Sequence, residues 1–224
     1  MIRDSGTVRL AGAMLPCPCH LCAFFGNSDQ EYRVLAPFVK DGLQAGEKVF
    51  QILEDGHCEE RRRRLQEMGI DIAAAERSGQ IEVRAWGQAY RRDGRFNQEG
   101  MLTLLEEAMA SGKRQGFVRT RLWADLDWEI DIPKFREIAE YEVQLDRLVS
   151  EHDGVLVVGH DTIRFGAAVV VYVLETHRFT IVSSILQENP FRVSPAEYLE
   201  ILRRRAALAD VTDQMVSPAG TEAM

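Results

Sequence analysis

No stretch of this 224-residue chain approaches the roughly 18 consecutive apolar residues that a membrane-crossing helix needs. The longest apolar run, Phe165 to Leu174, is short and contains Gly166 and Tyr172. Residues 1–16 carry Arg3, Asp4 and Arg9 among small residues and lack the apolar centre of a secretory leader, so a cytoplasmic location is expected. Positive charge is also scarce. With 27 basic against 35 acidic residues the net charge is −8, which argues against gripping a nucleic-acid backbone through a broad basic face. The one dense basic run, Arg61 to Arg64, lies beside Glu59, Glu60 and Glu67 and reads as the salt-bridged, solvated face of a helix.

Several catalytic signatures are missing too. A phosphate-binding P-loop needs glycines for backbone approach and a lysine for the phosphates. After the first clear apolar strand the chain instead reads Gly26-Asn27-Ser28-Asp29-Gln30-Glu31-Tyr32-Arg33, with one glycine, no lysine and two carboxylates. An anion is repelled there, so ATPase activity is not expected. Gly26-Asn27-Ser28 lacks the second glycine of a nucleophile elbow. The c-type haem pattern C-x-x-C-H is absent as well. No catalytic residues are assigned, although His160-Asp161 and the Asp125/Asp127 pair are the groups an acid–base mechanism would draw on.

What is present is a strict alternation of strand and helix patterns. His20 to Phe25 is a short apolar run. Ser28 and Glu31 have the S-x-x-E form of a capping box, and Val34, Leu35, Phe38, Val39 and Leu43 follow at helical spacing to a stop at Gly46. Lys48 to Leu53 then reads as a second buried strand, completing a βαβ unit with parallel strands. Helices are expected over 59–68 and 72–77, a strand over 80–84, and a loop over 86–96. A helix from Met101 should stop at Gly112, and a strand spans 117–124. A helix opens at Pro133, strand 155–159 follows, then an apolar helix over 163–174 and strand 179–184. Ser194 and Glu197 form a second capping box with proline at the first helical position. Such alternation implies an α/β fold: one domain, a mainly parallel central sheet, helices on both faces. An amino-terminal tail (1–16) and a flexible tail (209–224) flank a domain spanning 17–208.

The residues carry a family resemblance. The run H-x-C-x-F-F from His20, then D-x-E-Y-R-V-L-x-P-F-V-K-x-G-L-x-x-G-E-K-V from Asp29, resembles the MEDS domain, a sensory domain named after the DcmR regulator of methylotrophs. Gly79 to Val83 with Trp86, Gly94 to Phe96, Ala124 to Trp128 and Ile185 to Phe191 agree in order and spacing. The resemblance implies a degenerate RecA/KaiC-like fold used to sense small molecules in signalling. It further implies a role in transcription or signal transduction through a downstream regulatory protein, in a chain that itself shows no DNA-binding helix pair. RecA-like relatives also make a homo-oligomer an expectation.

In open parallel sheets ligands bind at the carboxyl ends of the strands. Applied here, that rule gathers Phe25 and Asn27 after the first strand, Asp125, Asp127 and Trp128 after the fourth, and His160, Asp161 and Arg164 after the fifth. The sixth leads into Glu188 and Asn189. With His20 and Cys22 on the first strand, these aromatic, acidic and amide groups suit a small neutral or cationic organic ligand. Each also has a purely structural use: Trp128 as core, Asp161 as a helix cap, Glu188 as partner to an arginine.

Cys17, Cys19, His20 and Cys22 form the cluster C-x-C-H-x-C. It makes a zinc or iron–sulfur site the first alternative function and a thiol switch a variant of it. Cys22 as a small buried hydrophobe is the bland reading of the same residue. A cryptic nucleotide-binding protein is the second alternative.

Overall fold

The computed structural model describes residues 6–85, 87, 91–92, 95–125, 135–163, 167–194, 197–201 and 203–204. In chain order they form strands Thr7–Leu10 (β1), Ala13–Pro16 (β2) and Cys19–Phe25 (β3), helix Ser28–Gln44 (α1), strand Lys48–Leu53 (β4), helices Cys58–Glu67 (α2) and Ile72–Arg77 (α3), and strand Ile81–Ala85 (β5). Two-residue strands Arg91–Arg92 (β6) and Arg95–Phe96 (β7) follow, then helix Gln98–Arg114 (α4), strand Thr120–Asp125 (β8) and helix Phe135–Glu151 (α5). Strand Val155–Asp161 (β9), helix Ala167–Thr176 (α6) and strands Phe179–Val182 (β10) and Ile185–Glu188 (β11) complete the series.

Every residue of β3 and β4 is buried, so the sheet they enter must be covered on both sides. Its order is β11-β10-β3-β9-β8-β4-β5. All neighbours run parallel except β10 and β11. The fold is therefore α/β with a mainly parallel sheet, as the alternation of patterns predicts. β3 and β4 are parallel but not adjacent, because β9 and β8 insert between them.

Alternation along β3 sorts its side chains into two cores. Leu21, Ala23 and Phe25 join Leu35 and Phe38 of α1, Leu65 of α2 and Ile72 of α3. Cys22 and Phe24 join Met101 and Leu105 of α4, Leu145 and Val149 of α5, and Tyr172 of α6. Since consecutive strand residues face opposite ways, this division follows from the period of two.

Several boundaries differ from expectation for identifiable reasons. Asn27, not Ser28, caps α1: its Oδ1 accepts from Gln30 N at 2.9 Å, and Gln30 Oε1 accepts from Gly26 N at 2.9 Å. That leaves Glu31 without a capping role. Gly112 lies inside α4, where a Cβ would meet Thr120 Oγ1 at 2.6 Å. The turn that follows falls instead at Gly116, whose φ is +89°. Residues 7–16 make the β1–β2 hairpin and place Val8, Leu10 and Leu15 in the core, so the amino-terminal tail of the sequence reading is not one. The run read as a single strand to 184 reverses at Ser183 and Ser184, with φ of 51° and 65°, and returns as β11. The loop expected over 86–96 holds the β6–β7 pair. The Ser194/Glu197 box forms as read, Glu197 Oε2 accepting from Ser194 N at 2.9 Å and Ser194 Oγ from Glu197 N at 3.2 Å. The tail expected over 209–224 lies outside the described residues.

The capping assignment is directly testable. Asn27→Ala is expected to lower stability in urea by about 1 kcal/mol, the usual worth of a cap. Ser28→Ala should cost a small fraction of that, and the reverse order would reinstate Ser28 as the cap.

Candidate functional site

β3, β8 and β9 end side by side at Phe25, Asp125 and Asp161. α1 and α2 pack over the same face of the sheet. Between them lies a cavity of about 270 Å³, lined by Phe25, Asn27, Ser28, Glu31, Tyr32, Leu53, His57, Glu60, Arg61, Asp125, Gly159, His160 and Asp161. Gly159 clears room for it, since a Cβ there would stand 3.0 Å from Glu31 Oε1.

Arg61 is the centre of this wall. It sits on the stripe of α2 that also carries Leu65, four residues on, and both are buried. Its guanidinium lies 3.5 Å from the centroid of the Trp123 ring and 5.0 Å from that of Tyr32. The two rings meet edge-on, with centroids 5.4 Å apart. A buried guanidinium needs an anion, and Asp125 Oδ2 supplies it through a short ion pair, with Glu31 Oε1 at 4.0 Å. Gln51 Oε1 accepts from it at 3.4 Å. Arg61 Nε has no hydrogen-bond partner among the described residues.

Glu31 and Asp125 form a carboxyl pair beside that cation. Burial pushes Glu31 well above the usual carboxylate range, the charge of Asp125 adds to the rise, and Arg61 and the Trp123 indole N–H oppose it. Trp123 Nε1 donates to Glu31 Oε1 at 2.9 Å. Burial likewise pushes the Tyr32 hydroxyl up to about 12. Burial, with the charge at His20, pushes His160 down to about 3, so its imidazole is neutral. The cavity thus offers one matched ion pair, neutral hydrogen-bonding groups and aromatic surface.

Of the residues the strand-end rule gathers, Phe25, Asn27, Asp125, His160 and Asp161 line the cavity together. Asp161 Oδ1 also accepts from Ile163 N at 2.8 Å. Asp127, Trp128 and Arg164 lie outside the described residues. Glu188 and Asn189 do not join the site, because β11 runs antiparallel and carries them back to the other end of the sheet. Glu188 there pairs with Arg178 at 3.2 Å, and the Asn189 amide donates to His177 O at 2.7 Å. His20 lies toward the amino end of β3 and Cys22 at its middle, and both face the α5 side, away from the cavity. Glu31, Tyr32 and Arg61 line the cavity without having been picked out by sequence reasoning, as do Ser28, Leu53, His57, Glu60 and Gly159.

The cysteine cluster does not converge either. Cys17 and Cys19 belong to the core under α1, Cys22 to the core on the other face. All three are buried free thiols. Burial pushes their thiols up, Cys19 to about 12, which disfavours the thiolate that metal binding and disulfide exchange require.

A family model described as MEDS, "MEthanogen/methylotroph, DcmR Sensory domain", matches residues 19–178. The chain is similar to the transcriptional repressor DcmR of Methylorubrum extorquens (strain DSM 6343 / CIP 106787 / DM4), 22% identical over 181 residues. That match covers 80% of this chain and 65% of the relative, so the chain spans under two thirds of that protein. Among solved structures it is similar to a KaiC-like protein from Pyrococcus horikoshii OT3, with a TM-score of 0.49 and 15% identity, over 74% of this chain and 70% of that one.

A pH dependence follows from the carboxyl pair. The folded chain retains a proton on Glu31 that the unfolded chain releases above its ordinary value of 4.5. The group's contribution is therefore fully present at low pH and falls as pH rises toward the folded value. Glu31→Gln keeps an oxygen for Trp123 and removes the charge. Urea unfolding should show its stability gaining on wild type from about pH 5 to pH 8; a difference independent of pH would refute a raised Glu31.

Proposed function

The chain belongs to the MEDS family of sensory domains, and on that premise we propose that it is a non-catalytic receptor for a small organic molecule held in the strand-end cavity. The observation that carries this reading is the cavity itself, walled by Arg61, Tyr32, Glu31 and Asp125. Its volume of about 270 Å³ falls just below the usual 300–1,000 Å³ of ligand sites, favouring a ligand of few heavy atoms.

Charge bookkeeping selects the class. Arg61 is matched by Asp125, Asp29 is paired with Arg64 at 2.6 Å, and Glu60 and Asp161 add acidity at the rim. An anionic ligand would find no spare cation on this wall among the described residues. A neutral or cationic molecule carrying a hydroxyl or amine can donate to the carboxyls while packing on Phe25 and Tyr32.

Transmission is by population shift. A ligand that favours one placement of Arg61 favours one placement of α2, whose outer face carries Arg62, Arg63 and Arg64. These pair with Glu59, Glu76, Glu60, Glu67 and Asp29. A downstream regulatory protein reads that face. The repressor activity in the name of the DcmR relative accords with a regulatory output.

The test is a thermal-shift panel of small alcohols, primary amines and methylammonium compounds, with inorganic phosphate and magnesium-ATP as the anionic arm. A shift with the first group and none with the second is expected. Asp125→Asn should weaken the responding compound at least tenfold, a loss of about 1.4 kcal/mol, while Glu188→Gln leaves it unchanged. Stabilisation by phosphate or magnesium-ATP alone would overturn the reading.

A further inference from the structure

Toward the end of β3 remote from the cavity, three buried side chains from three elements converge: His20 of β3, Glu142 of α5, and His177 between α6 and β10. His20 Nε2 and His177 Nε2 are 3.2 Å apart, and His177 Nε2 is 3.3 Å from Glu142 Oε2. His20 Nδ1 is 3.7 Å from Glu142 Oε2, and one ligand atom from each of the three residues lies within 4.8 Å of the others, the one such group among the described residues. Ligands bound tetrahedrally at about 2.0–2.1 Å are about 3.3–3.4 Å apart. The two separations at His177 Nε2 have that scale.

The outward nitrogens fix the inward ones. His177 Nδ1 is 2.9 Å from Val173 O, and a carbonyl only accepts, so Nδ1 carries the proton and Nε2 presents a lone pair. That lone pair meets Glu142 Oε2, which is also an acceptor when ionised and has no well-directed hydrogen bond among the described residues. His20 Nδ1 is 3.0 Å from Asp146 Oδ1, the carboxylate–imidazole arrangement that orients metal-bound histidines. A proton can join one pair of these atoms. A metal ion joins all three.

We propose that His20 Nε2, His177 Nε2 and a Glu142 carboxylate oxygen form a binding site for a divalent transition metal, with Asp146 and the Val173 carbonyl as the outer partners that aim the imidazoles. Two imidazoles and a carboxylate with no thiolate suit zinc best, and three protein ligands leave a fourth position for a small exogenous group. On binding, His20 gives up any proton on Nε2 and keeps the one on Nδ1 directed at Asp146. This site is separate from the strand-end cavity and stands whether or not that cavity holds a ligand. It uses none of the cysteines.

The test is titration of the chelator-treated 224-residue chain with cobalt(II) and zinc(II). One equivalent of cobalt should give the ligand-field bands of a tetrahedral site without a thiolate charge-transfer band, and excess zinc should displace it. His177→Gln should abolish binding. Asp146→Asn should weaken it about 10–100-fold while leaving the circular dichroism unchanged, which guards against a mere folding defect. Cys19→Ser and Cys22→Ser should bind as wild type. Absence of binding by folded wild-type protein, retention of full affinity in both His177→Gln and Asp146→Asn, or a thiolate band lost with Cys22→Ser would each overturn the site, the first leaving a shared proton as the occupant.

Discussion

The structure depends on one strand that is buried on both faces. β3 pairs with β9 along its whole length and with β10 at Leu21 to Ala23, and its seven side chains go alternately to two separate cores. Because the alternation is fixed by the extended backbone, a single segment contributes to two unrelated chemistries. Phe25 closes the floor of a cavity under α1 and α2, while His20 joins a polar cluster under α5.

Within the first core the costly element is Arg61. An unpaired charge in that position would be penalised by several kcal/mol. Asp125 and the two aromatic faces of Trp123 and Tyr32 offset the penalty rather than convert it into large net stability. Such a group is poorly explained as a stabiliser, since a well-packed apolar residue of similar size would do as well. Its position in the cavity wall supplies a different reason for its presence. The rest of the basic run is the solvated, ion-paired face that its sequence suggests.

Much of this was legible in sequence. The helical spacing through Val34, Leu35 and Phe38, the stop at Gly46 and the Ser194/Glu197 box were local signals that held. Among the described residues, the parallel strand ends bring Phe25, Asn27, Asp125, His160 and Asp161 to one cavity. The strand-end rule misplaced Glu188 because the reversal at Ser183 and Ser184 carries no glycine, asparagine or proline to announce it. Glu31 was misassigned because the S-x-x-E pattern fits one residue out of register with the true cap. Arg61 and Glu142 were hidden by their charge, yet each left a trace: Arg61 lies four residues before Leu65, and Glu142 three before Leu145. A charged residue on an apolar stripe is the signal that periodicity offers when composition does not. His177, lying just beyond a helix and distant in sequence from both of its partners, left none.

The two-faced strand also sets what kinds of change the chain tolerates. A substitution at Phe25 or Leu21 is felt under α1, and one at His20 or Phe24 under α5, so the two faces can drift separately. Inserting or deleting one residue next to Cys19 exchanges the faces of everything beyond it, turning His20 and Phe24 toward the apolar core under α1 and Phe25 toward the core under α5. The strand can be respelled but not lengthened, and variation among chains of this architecture should be rich in replacements there and empty of gaps.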